Sequence, residues 1–165
     1  MNYHTFLISL IKHILSKAKD ANFDENIKKG NFFDKLIRNY HQYNSNDIRV
    51  YRRKTRIGKH YKFTKAAYEQ FLQNKKVSEL YFEHLIPVKI IKERLLKSDK
   101  SSKSIKQILD ENEIIILTTS QAHLLDKNFK SELPKHLDRI TMMHEKFPNK
   151  GYAIHEDTRN NQLFA

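Results

Sequence analysis

Tyr81-Phe-Glu-His-Leu-Ile-Pro87 and Glu113-Ile-Ile-Ile-Leu-Thr-Thr-Ser-Gln-Ala-His123 are the stretches on which the reading of this chain turns. Leu80 to Ile86 is a short apolar segment stopped by Pro87, whose nitrogen cannot donate to a ladder, and it predicts a strand. Ile114 to Thr118, rich in β-branched residues, predicts a second. Thr119 or Ser120 can cap a following helix, with His123 in its first turn and Leu124, Leu125 and Phe129 on its apolar side. This order puts a carboxylate and an imidazole at the end of one strand and a second imidazole at the start of a helix. Such a set can hold a divalent cation beside a general base. Glu83 and His84 are strand neighbours, which face opposite ways on a regular strand. They share a site only if the strand bulges or ends there, as Pro87 allows.

Outward from these stretches the pattern is helical. Val88, Ile91 and Leu95 form one stripe, a Ser/Lys break follows at Ser98 to Ser104, and Ile105, Ile108 and Leu109 resume it. Near the start, Leu7, Leu10, Ile11, Ile14, Leu15 and Ala18 recur at helical spacing and predict a helix from about Tyr3 to Lys19. Phe33, Leu36, Ile37 and Tyr40 make a second stripe with Asn31 as its N-cap. Thr64 can cap a helix from Lys65 to about Gln73 with Ala67, Tyr68, Phe71 and Leu72 inward. Beyond Pro134 a helix is expected near His136 to His144, with an irregular tail after Pro148.

Between Asp47 and Glu69 the chain carries no acid, while Arg49, Arg52, Arg53, Lys54, Arg56, Lys59, Lys62 and Lys65 crowd together with Tyr51, His60, Tyr61 and Phe63 between them. Alternating β-branched, aromatic and basic residues around Gly58 read as a basic β-hairpin, with a helix as the rival. The functional reading is a phosphate-tracking patch for nucleic acid, in which the arginines can also contact bases. The bland one is a solvated basic face.

At 165 residues the chain suits one domain, and its formal charge of +12 draws polyanions. Nucleic acid is the expected partner, ahead of an anionic membrane surface. The absence of cysteine excludes disulfides, thiolate catalysis and cysteine-bound zinc. Lys12, His13, Lys17 and Lys19 interrupt the opening apolar stretch, so neither a signal peptide nor a membrane span is expected, and the cytosol is the default location. His144 and His155, with Glu145, Glu156 and Asp157, match no metal spacing and read as polar surface.

Phe82-Glu-His-Leu-Ile-Pro87 and Ile114 to Asp126 together resemble the ββα-metal unit of the HNH nucleases, over the middle third of the chain. The stretch from Glu83 to Pro134 is similar to a cysteine-free branch with a longer helical insertion. Glu stands where Asp is commoner, and zinc-knuckle cysteines are absent. The resemblance implies His84 as general base, Glu83 and His123 as ligands of Mg²⁺ (or Mn²⁺, Ni²⁺ or Zn²⁺), and Asn112, before the second strand, as the residue orienting the base. The chemistry agrees, since a neutral imidazole of pKa about 6.5 can deprotonate water and a divalent cation can neutralise the departing oxygen. Against this stand a surface carboxylate beside a half-buried histidine, a helix-terminal histidine at 123 and a turn asparagine at 112.

The expected architecture is a mainly helical α+β domain around an HNH-like ββα-metal core with a basic hairpin. Residues 1–78 would form a helical and basic DNA-binding part, 79–131 the nuclease core and 132–165 a C-terminal extension. The expected activity is metal-dependent endonuclease cleavage of double-stranded DNA, of a restriction or phage-defence kind. Cutting two strands with one site per chain favours a homodimer. The alternatives are a nucleic-acid-binding protein without catalysis and a ribonuclease toxin.

Overall fold

A computed structural model of the chain describes residues 2–18, 31–42, 62–74, 79–129 and 138–155. In chain order these form α1 (Tyr3–Lys17), α2 (Asn31–Gln42), β1 (Lys62–Phe63), α3 (Lys65–Asn74), β2 (Leu80–His84), α4 (Val88–Lys97), α5 (Ser102–Asp110), β3 (Ile114–Thr118), α6 (Thr119–Phe129) and α7 (Arg139–Lys146), with a 3-10 turn at Pro148–Lys150. The protein is a mainly helical α+β structure, as expected. It divides into two compact units: Met1–Arg49 with Val88–Asn112, and Val50–Pro87 with Glu113–Ala165. The insertion between the motif strands therefore joins the N-terminal helices. Those boundaries differ from divisions drawn at 78 and 131, because the apolar stripes of α4 and α5 pack with α1 and α2.

In the helical unit, the side chain of Asn2 accepts from Thr5 N at 2.9 Å and caps α1, which buries Leu7, Ile8, Ile11, Ile14 and Leu15. α2 begins at Asn31 itself and buries Phe33, Leu36, Ile37 and Tyr40. Ser101 caps α5 by accepting from Ser104 N at 3.1 Å, and Lys100 before it adopts a left-handed φ of 62°, the sharp turn that the Ser/Lys break announced. Several polar groups inside this unit are held by partners. Lys92 Nζ lies 2.8 Å from Asp34, and the Tyr40 hydroxyl donates to Asp110 at 2.6 Å. Both ring nitrogens of His41 meet main-chain carbonyls, Ile37 O at 3.0 Å and Leu109 O at 2.8 Å.

The sheet unit has strand order β1-β3-β2. β3 is central and buried throughout, which explains its apolar run from Ile114 to Leu117. Its partner β1 runs parallel, Lys62 beside Ile115 and Phe63 beside Ile116, whereas β2 runs antiparallel. Of the expected basic hairpin only Lys62 and Phe63 are described; they pair with β3, and Ile48 to Tyr61 lie outside the described residues.

One sheet face packs Ile114, Ile116 and Leu80 with Phe63 and Ala67. The other packs Ile115 and Leu117 with Ala122 and Leu125 of α6, Ile140 and Met143 of α7, and Tyr152. The cap of α6 is Thr118, one residue earlier than expected. Its hydroxyl accepts from Gln121 N at 3.1 Å while Gln121 Oε1 accepts from Thr118 N at 3.1 Å, a reciprocal capping box. Buried Gln121 also accepts from Thr64 Oγ1 at 2.7 Å and donates to Lys150 O at 2.9 Å, tying the start of α3 to the 3-10 turn.

The stretch after Pro148 is ordered by that contact and by backbone bonds as far as His155. Lys65 N donates to Ala153 O at 2.7 Å, and His155 N to Phe63 O at 2.8 Å. Gly151 supports the approach with φ of 66°, and a Cβ there would lie 2.8 Å from Ala66 Cβ. No helix among the described residues is long and apolar enough to cross a membrane.

Candidate functional site

Within the sheet unit, β2, β3 and α6 follow the strand, strand, helix order, and β2 ends on His84. The β2–β3 ladder is continuous from Leu80 opposite Thr118 to His84 opposite Ile114, and Leu85 N extends it by donating to Glu113 O at 2.9 Å. There is no bulge at Glu83 and His84, and Pro87 comes too late to make one. Strand alternation then separates the two side chains. His84 shares the face of Phe82, Ile114 and Ile116, and Glu83 shares the face of Ile115 and Leu117. His84 is 7% exposed, with its Nε2 away from solvent.

Glu83 would be a carboxylate entering an apolar layer, at a high desolvation cost, but for Arg139. Asp138 caps α7 through Ile140 N and Thr141 N, both at 2.9 Å, which sets Arg139 as the first helical residue. The Arg139 side chain is 1% exposed and its Nη2 is paired with Glu83 Oε1. The same nitrogen donates to His84 O at 2.6 Å, and Nη1 donates to Phe129 O at 3.2 Å. One guanidinium thus joins the β2 carboxylate, the β2 main chain and the C-terminus of α6. The sequence reading did not single out Arg139; its spacing of four from the buried Met143 was the available signal.

The remaining expected residues lie in different surroundings. His123 is on the exposed flank of α6, whose inward residues are Gln121, Ala122 and Leu125. Asn112 belongs to the helical unit, where it is 4% exposed and its N donates to Leu109 O at 3.2 Å after the end of α5. Lys62 is ion-paired with Glu113 at 2.6 Å on a solvated edge. Arg49, Arg52, Arg53, Lys54, Arg56 and Lys59 lie outside the described residues.

No known family, curated protein or solved structure matches the chain.

The donor set does not fit a divalent ion as arranged. Glu83 is turned to a permanently charged guanidinium, which repels a second cation, and His123 is directed to the exposed side. Among the described residues no group of three or more His, Asp or Glu side chains is placed to hold a metal. What the arrangement offers is an imidazole at the end of a paired strand, with the adjoining main chain fixed by an internal cation.

Proposed function

We propose that this chain acts on nucleic acid as a phosphodiester hydrolase, an endonuclease with His84 as its general base. The observation that carries this reading is local: β2 and β3 are antiparallel, α6 follows β3 without a linker, and His84 is the last residue of β2. The net charge of +12 supports a polyanionic substrate, and the basic run from Arg49 to Lys62 is the proposed DNA-binding segment. In this reading His84 takes the proton of the attacking water. Mg²⁺ or a similar ion is the proposed cofactor from the resemblance. No step is assigned to it, because Glu83 and His123 form no shell in the present arrangement.

A second reading, a nucleic-acid-binding protein without catalysis, is favoured by the pairing of Glu83 with Arg139 and by the burial of His84. Incubation of the purified protein with supercoiled plasmid and with total RNA, each with Mg²⁺ or Mn²⁺, separates the readings. Nicking or linearisation that is lost in His84→Ala, with binding retained, is the expected outcome. Binding with intact plasmid and RNA would sink the enzyme reading, and cleavage of RNA alone would select the ribonuclease alternative.

A further inference from the structure

We infer that Arg139 is the positioning residue of the Glu83–His84 pair, holding the end of β2 so that the imidazole of His84 keeps one sheet face. The inference rests on the functional reading of His84 just given. Three acceptors converge on this guanidinium: the Glu83 carboxylate, the His84 carbonyl and the Phe129 carbonyl. They come from two elements far apart in sequence. A group whose only task was to neutralise Glu83 would need no bond to the main chain of the next residue.

The His84 carbonyl bond couples the pair to the neighbouring ring. A one-residue slip of β2 would exchange the faces of Glu83 and His84. The carboxylate would then enter the layer of Ile114, Ile116 and Phe63, and the imidazole would face Arg139. With the guanidinium held at its far side by Phe129 O, and its α7 start fixed by Asp138, that slip is opposed by a buried like-charge or unpaired-group cost. Lysine cannot reproduce the arrangement, because an ammonium is a point donor and the three acceptors surround a planar fork.

The test uses the full chain and three variants: Arg139→Met, Arg139→Lys and the double variant Arg139→Met with Glu83→Gln. The readouts are the His84 ring proton and carbon NMR signals at fixed pH, and kcat and KM on plasmid. The double variant removes the uncompensated charge together with the guanidinium, so that what remains missing is the bonding to the main chain. Positioning by Arg139 predicts that its His84 ring signals stay displaced from wild type, and that kcat stays down on the order of a hundredfold with KM little changed.

Wild-type ring signals and wild-type kcat in the double variant would overturn the inference, since Arg139 would then serve only to neutralise Glu83. If neither methionine variant folds, Arg139→Lys decides: displaced His84 signals support positioning, and unchanged ones overturn it. A wild-type protein that cleaves nothing removes the nuclease reading alone, because the ring signals still report whether Arg139 sets the place of His84.

Discussion

Lys92 in the helical unit and Arg139 in the sheet unit are both cations held against a carboxylate, Asp34 in one case and Glu83 in the other. The Lys92 ammonium meets Asp34 at 2.8 Å, and Asp34 keeps 30% of its side chain in solvent. The Lys92 side chain is buried along with Val88, Ile91 and Leu95 of α4, so part of its contribution is that of its apolar stem. Arg139 is enclosed, and its partner Glu83 is only 18% exposed. It also binds two main-chain carbonyls. The difference teaches that one ion pair decorates a helix interface, while the other decides where a strand ends.

The largest expected effect follows from that contrast. Arg139→Met takes the enclosed cation from the mostly covered Glu83 carboxylate and should cost about 3–5 kcal/mol, read from urea unfolding. Gln121→Leu comes next. It removes a neutral buried group with partners at Thr118, Thr64 and Lys150, and a loss of about 2–3 kcal/mol in thermal unfolding is expected. That result would show whether the sheet unit is sensitive to multiple acceptors as such, or only to charge. Lys92→Met keeps the stem and lets Asp34 rehydrate, so about 1 kcal/mol or less is expected by chemical denaturation. A cost equal to that of Arg139→Met would break the comparison.

The smallest effect concerns His41. Burial pushes its pKa below the ordinary value and the charge of His4 acts in the same direction, while the Leu109 and Ile37 carbonyls and Asp110 oppose them. The folded ring therefore binds its proton at lower pH than the unfolded chain does. As pH falls below about 6.5 the unfolded state takes up more protons, and stability declines until the folded ring is protonated too. Denaturation midpoints at pH 7.5 and 5 should show a small fall that His41→Gln reduces. An unchanged fall in that variant would assign the pH dependence elsewhere.

The apolar stripes and the β-branched run were legible because each needs only local periodicity. Ile114 to Thr118 is a strand with the bounds its residues suggested, and α1 to α5 fall close to their stripes. Thr118 was misread because it ends a strand and caps a helix at once, although Thr118 and Gln121 stand at capping-box spacing. β1 was not legible as a partner of β3, since two residues carry no period and their neighbour is remote in sequence. Arg139 was hidden by its context. Its neighbour Asp138 is spent on the α7 cap, and its acceptors come from β2 and α6, remote in sequence. At Glu83 and His84, alternation outweighed the interruption expected from Pro87, because pairing continues through Leu85.

The interleaving of the two units along the chain has a consequence for biogenesis. The helical unit needs α4 and α5, which lie after β2, and the sheet unit needs β3, which lies after α5. Its central strand is thus the last of the three to be made. While β1 and β2 wait for it, neither has its ladder neighbour, whereas every element of the helical unit has already been made. A nascent chain halted before Ile114 should present the apolar faces of both strands to chaperones, and synthesis through Thr118 should release it.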